Sequence, residues 1–132
     1  EEWQRGRAGG IGGEARLMPL ILLPPRDWLY QRCDRRFEEM MSEEGLQEVR
    51  SLLARNLPGS LPVMRAIGVR EIAGFLRGEL GLEQALEAGR IATRQYAKRQ
   101  YTWFSRQPPP EWPRFTEPLD CGRVADALAR LR

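Results

Sequence analysis

Histidine is absent from this 132-residue chain. That one absence removes histidine-based triads, most transition-metal sites and the commonest general base. Cysteine is scarce. Cys33 and Cys121 stand far apart with no secretory signal ahead of them, which predicts two reduced thiols in the cytoplasm. Lysine occurs once, at Lys98, against 20 arginines. Long apolar runs are missing too: the longest, Leu17 to Leu23, falls far short of the ~20 residues a membrane span needs, so no membrane partner is expected. With 42% apolar and 30% charged residues the chain still has the composition of a folded protein, and its length suits one domain.

Five of the 13 glycines fall in residues 1–16, which read as a flexible lead-in. Their GGIGG run precedes a strand rather than following one, and no Gly-Lys-Ser/Thr follows, so it is not a phosphate loop. The strand is Leu17–Leu23 (LMPLILL), short, apolar and closed by Pro24-Pro25, as in strands buried on both faces of a parallel sheet. No second strand is evident. A lone strand needs backbone partners, so this one should pair with a second copy of the chain or lie beneath its own helices. Helices are expected over about 27–44 (capped by Asp27 and stopped by Gly45), 46–55, 64–77 and 82–105, with a last short one over 123–132. The longest, near 24 residues, would run roughly 36 Å.

On the wheel of that longest helix, Leu82, Ala85, Leu86, Gly89, Ala92, Tyr96, Ala97, Trp103 and Phe104 share one arc and read as core. Arg90, Arg94 and Lys98 climb the opposite side at i, i+4, i+8. Tyr101 shares their sector, and Arg99, Arg106, Gln95 and Thr102 flank it. Between Arg90 and Arg106 there are five basic residues and no acidic one, so a net +5 sits inside an overall +3 and the remainder carries −2. Like charges at i, i+4 repel, and solvated helix faces usually interleave both signs. An all-basic ridge with an aromatic and amides suits nucleic-acid phosphates, with Tyr101 available for base stacking.

The first long helix places Arg36 in the middle of an apolar stripe formed by Leu29, Cys33, Phe37 and Met40. A guanidinium there needs an anion, either a structural carboxylate or a bound phosphate. Gly68, inside Met64-Arg-Ala-Ile-Gly-Val-Arg-Glu71, costs a helix about 1 kcal/mol relative to alanine. It therefore predicts a close backbone approach, to another helix or to a ligand.

Several segments together resemble the tRNA dimethylallyltransferases, also called tRNA isopentenyltransferases. Thr93-Arg-Gln-Tyr-Ala-Lys-Arg-Gln-Tyr-Thr-Trp-Phe104 is similar to the family's TRQxAKRQxTWF/L signature. Arg65-Ala-Ile-Gly-Val-Arg-Glu71 resembles its AIGYKE-type motif, with Val69 and Arg70 at the usual Tyr and Lys. Arg26 to Met40 resembles RxxLxxRIxxRxxxM, with Cys33 at the usual Ile, and Gly45-Leu46 with Glu48-Val49 matches the GLxxEV that follows. The similarity runs from about Trp3 to Trp112.

The resemblance implies transfer of a dimethylallyl group from dimethylallyl diphosphate to N6 of the adenine 3′ of the anticodon. It implies a mainly α fragment, four to five helices plus one buried strand, of an α/β P-loop-kinase-like fold. Residues 17–112 would be the C-terminal part of the prenyltransferase core and 113–132 a tail. The phosphate loop, the proposed general base and the ligands for Mg²⁺ would lie in an N-terminal P-loop portion, leaving the fragment inactive alone. Carried over by motif position, Arg36 would contact the diphosphate. Arg65, Ala66, Ile67, Gly68, Val69 and Arg70 would line the tRNA side, together with Lys98, Arg99, Gln100, Tyr101, Thr102, Trp103, Phe104 and Ser105, while the basic ridge adds Arg94. The partner would be the tRNA anticodon stem-loop. Two other readings remain open: a stand-alone helical RNA-binding module, and a helical protein–protein adaptor anchored by Trp3, Trp28, Trp103 and Trp112.

Overall fold

The computed structural model describes residues 16–119 and 122–129. The Gly-rich lead-in up to residue 15, with Trp3, lies outside that range, as do Cys121 and residues 130–132. The elements in chain order are β1 (Ile21–Leu22), α1 (Arg26–Met40), α2 (Glu43–Ala54), a 3₁₀ turn (Pro62–Arg65), α3 (Val69–Leu76), α4 (Leu82–Arg106), β2 (Arg114–Phe115) and α5 (Val124–Ala129). No described helix is long and apolar enough to cross a membrane.

The apolar run forms far less strand than its composition suggests. Only Ile21–Leu22 is extended and paired; Ile21 and Leu23 are buried, whereas Leu22, Leu17 and Met18 are exposed. Burial therefore alternates, and the strand is covered on one face. Its partner belongs to the same chain. β2 lies parallel to it, with Ile21 opposite Arg114 and Leu22 opposite Phe115. Ile21 N–H donates to Pro113 O at 2.9 Å and Leu23 N–H to Phe115 O at 2.8 Å. Pairing with a second copy is thus unnecessary. A two-residue strand wedged behind Pro113 has no periodicity to betray it, and it sits in a stretch expected to be tail.

α1 begins at Arg26 and stops at Met40, four residues before the expected end. Gly45 is not the stop signal. Ser42 starts α2, its hydroxyl accepting from Gly45 N–H at 3.5 Å, with Glu43 and Glu44 in the first turn where the helix dipole favours acids. The expected helix over 64–77 is two pieces. The chain breaks at Gly68, whose φ of +99° excludes most side chains, and α3 starts only at Val69. Glu71 steadies the break by accepting from Gly68 N–H at 3.0 Å. A Cβ on Gly68 would stand 2.6 Å from Met40 Cε, so the close approach is to the end of α1.

Two packing centres result. Val49, Ile72 and Ala73 form one, closed over by Met40, Met41, Leu46, Leu53 and Leu76. The other is the long contact of α1 with α4, where the fully buried Phe37 ring lies against the backbone at Gly89, between Ala85 and Ala97. α4 extends to Arg106, where Pro108 to Pro110 end it. The guanidinium of Arg114 gathers that turn, donating to Pro110 O at 3.0 Å and Trp112 O at 2.9 Å.

Candidate functional site

Helices α1 and α4 cross as two pinned rods, and the pins decide which arginines stay available. Asp34 and Glu38 are one turn apart on α1; Arg90 and Arg94 are one turn apart on α4. Arg94 grips Asp34 with two parallel hydrogen bonds, Nε to Oδ1 at 2.6 Å and a second from Nη2 to Oδ2. Arg90 Nη2 donates to Glu38 Oε1 at 2.6 Å. Hydrogen bonding to Asp34 raises the pKa of Arg94, and hydrogen bonding to Glu38 raises that of Arg90. The lower end of the ridge is therefore paired by carboxylates of both helices, because Arg90 also stands 3.8 Å from Glu87 of its own helix. The expected free ladder of Arg90, Arg94 and Lys98 is reduced at its lower end, and Arg94 is not left open to a phosphate.

Arg36 presents the opposite case. It is exposed rather than buried, and among the described residues no carboxylate reaches it. It lines a groove of about 990 Å³ between α1, α4 and the end of β1. Arg32 and Arg35 line the same groove against one carboxylate, Glu39, so its charge is three positive to one negative. Arg32 lies over the Trp28 ring at 4.9 Å, one turn from Arg36. Leu22, Leu29, Ile67 and Phe104 are among the apolar residues of the lining. Cys33 stands among them; burial, and then the charge of Asp34, push its thiol up from its ordinary value. The lining combines guanidinium groups with apolar side chains, which suits an anionic head on an apolar tail.

The expected tRNA-side residues divide between two faces of α4. Gln100, Tyr101 and Phe104 line the groove with Arg36. Lys98, Arg99, Thr102 and Trp103 line a shallower outer hollow of about 550 Å³ with Gln95, Arg106 and Gln107. Three of those seven are basic and none is acidic. The Thr102 and Ser105 hydroxyls are occupied by their own helix, donating to Lys98 O at 2.8 Å and Thr102 O at 2.9 Å. Tyr101 is not a bare stacking surface, because Arg26 covers its ring at 4.7 Å. Trp103 and Phe104 are exposed, as is Tyr96, and the first two meet edge to face at 5.0 Å.

The arc expected to be core is buried only at Ala85, Gly89 and Ala97. Leu82, Tyr96, Trp103 and Phe104 are exposed, the last three because they border the two hollows. From the other motif, Ile67 reaches the groove and Gly68 is buried beneath it, whereas Arg65, Ala66 and Arg70 are exposed and Val69 is half-buried. Of the other tryptophans, Trp28 and Trp112 are half-buried, which leaves Trp103 as the exposed one among those described. Among the described residues, no three His, Cys, Asp or Glu side chains cluster in a way that could hold a metal ion.

The IPP transferase family profile matches residues 2–107. A tRNA dimethylallyltransferase of Erythrobacter litoralis is 58% identical over 127 residues, and one of Novosphingobium aromaticivorans is 56% identical over 128. Both alignments cover 96% of this chain but only 40% and 46% of the relatives. The chain thus spans less than half the length of the curated relatives it matches. Among solved structures, the tRNA isopentenylpyrophosphate transferase of Bacillus halodurans superposes with a TM-score of 0.67 at 31% identity, covering 86% of this chain and 38% of its own. The Staphylococcus epidermidis enzyme gives 0.65 at 30% identity, covering 74% and 32%. The helical layer is shared with these P-loop-kinase-like enzymes. The chain belongs to the IPP transferase family.

Proposed function

We propose that this chain is the C-terminal, substrate-facing part of a tRNA dimethylallyltransferase, completed by a P-loop portion. In the reaction, N6 of the adenine 3′ of the anticodon attacks the allylic carbon of dimethylallyl diphosphate. The new N–C bond forms, the C–O bond breaks with its electrons on pyrophosphate, and N6 gives its proton to the general base expected in the P-loop portion. Because N6 is a weak nucleophile, the base must leave the anticodon stack and enter an enclosed channel. This chain supplies one wall of that channel. Arg36 holds the diphosphate with its planar fork and offsets the charge that builds as pyrophosphate departs. The apolar wall around Leu29 and Phe104 takes the allyl tail. Lys98, Arg99 and Arg106, on the outer hollow, hold the anticodon stem by its phosphates without reading sequence. Mg²⁺, whose ligands would lie in the P-loop portion of the complete enzyme, would supply charge neutralisation for the pyrophosphate. Such an enzyme works in the cytoplasm, where tRNA is.

The observation that carries the reading is the state of Arg36: it is a guanidinium on a groove, with apolar neighbours and no carboxylate partner among the described residues. An adaptor helix has no use for it there. In the complete enzyme, Arg36→Ala should abolish prenyl transfer while leaving most of the tRNA affinity. Parallel loss of both would refute the diphosphate role.

A further inference from the structure

Sequence alone makes Arg94 a phosphate ligand; its surroundings give it another task. The buried stripe of α1 centres on Cys33 and Phe37. Arg32 and Arg36 lie on one flank of that stripe, facing the groove, and Asp34 and Glu38 lie on the other, facing α4. Phe37 seated against Gly89 resists sliding of α1 along α4, but a ring on a flat backbone resists rolling poorly. Two bonds from Arg94 to one carboxylate, backed by Arg90 on Glu38 a turn further on, resist rolling well, because a planar fork fixes orientation as well as distance. Rolling α1 would move Arg36 most, since its long side chain stands across the helix from the pins.

We infer that Asp34 and Arg94 are positioning residues for diphosphate capture: together they fix the roll of α1 and so aim Arg36 at the leaving group. This rests on the diphosphate role assigned to Arg36 above. It also ties the two substrates together, because the helix that α1 is pinned to carries Lys98 and Arg99, so the spacing between diphosphate and tRNA contacts is held by one ion-pair ladder.

The test uses the complete enzyme, with kcat and KM for dimethylallyl diphosphate, tRNA affinity at several salt concentrations, and a thermal melt. Asp34→Asn and Arg94→Gln should each lower kcat/KM for the diphosphate roughly tenfold, in line with the sensitivity of catalysis to small displacements. The tRNA dissociation constant and its salt slope should be unchanged. Asp34→Glu should keep most of the activity, and the exchanged pair Asp34→Arg with Arg94→Asp should recover part of it. Val49→Ala, which loosens the distant α2–α3 core, controls for lost stability and should lower the melting temperature without lowering kcat/KM. Normal kcat/KM in Asp34→Asn alongside a defective Arg36→Ala would overturn this inference alone. Weaker tRNA binding with a shallower salt slope in Arg94→Gln, absent from Asp34→Asn, would overturn it by making Arg94 a phosphate ligand. An unimpaired Arg36→Ala would overturn both the diphosphate role and the inference resting on it.

Discussion

Replacing Gly89 with alanine should destabilise the protein, against the usual sign for a glycine inside a helix. Away from any contact, the exchange gains about 1 kcal/mol through helix propensity. Here the added methyl would lie 1.9, 2.1 and 2.3 Å from three carbons of the Phe37 ring. Carbon atoms sit comfortably at about 3.5–4.0 Å, so the ring would have to retreat by roughly 1.5 Å. Phe37 is 0% exposed, so its ring can retreat only by displacing packed neighbours. Overpacking of this kind costs about 1–3 kcal/mol, occasionally more, and the shortness of these contacts places Gly89 at the severe end. Subtracting the propensity gain leaves a net loss of about 2 kcal/mol, a factor of about 30 in the folding equilibrium. Urea unfolding followed by tryptophan fluorescence reads this directly: the midpoint should fall by about 1 M at unchanged slope. Trimming the ring should relieve the clash, so Gly89→Ala with Phe37→Leu should be more stable than the two single losses predict. A Gly89→Ala protein as stable as the parent, or more so, would refute the account of this contact.

Three further outcomes follow from the outer hollow, the groove thiol and the covered tyrosine. Lys98→Ala in the complete enzyme should weaken tRNA binding and reduce the slope of log affinity against log salt by about 1, and an unchanged slope would count against a phosphate contact there. Cys33 holds its proton more tightly folded than unfolded, so its contribution to stability is full below the unfolded thiol's ordinary pKa and fades as pH rises through the higher folded value. Cys33→Ala should therefore lose less stability than the parent as pH rises above the ordinary thiol range, and equal losses in parallel urea titrations would refute the shift. Arg26→Ala should bare the Tyr101 ring and raise its exposure to oxidative footprinting, whereas no change would mean that the stacking at 4.7 Å is not kept in solution.

What the residues announce and what they conceal differ by physical cause. α4 was legible because a 25-residue helix writes its period many times over, and its segment Thr93–Phe104 is one of those that together carry the family resemblance. Arg36 stood out because a lone charge breaks an apolar stripe. The pairing of Arg90 and Arg94 was invisible, because Glu38 and Asp34 are 52 and 60 residues away in the chain and only tertiary packing brings them within 3 Å. The break at Gly68 was half legible: glycine signalled an anomaly, but only the neighbouring Met40 shows why the chain turns there. β2 lay below any local signal, since two residues hold no period. The apolar arc of α4 misled for another reason: a hydrophobic face predicts that something covers it, not that a helix of the same chain does so. Tyr96, Trp103 and Phe104 border hollows instead.

The short parallel pair of β1 and β2 has a consequence for how the chain reaches its fold. Parallel neighbours need a crossover between them, and here the crossover comprises α1 through α4. Four hydrogen-bonded residues thus close a ring that contains nearly every packed side chain described. Local helix formation and the docking of α1 on α4 can proceed early, as contacts near in sequence or between preformed rods do, but ring closure must await both. The two strands therefore act as a latch set last. Lengthening the loop at 56–61, far from the latch, should barely disturb it, whereas lengthening the proline turn at 107–113 would displace β2 from its register and open the ring.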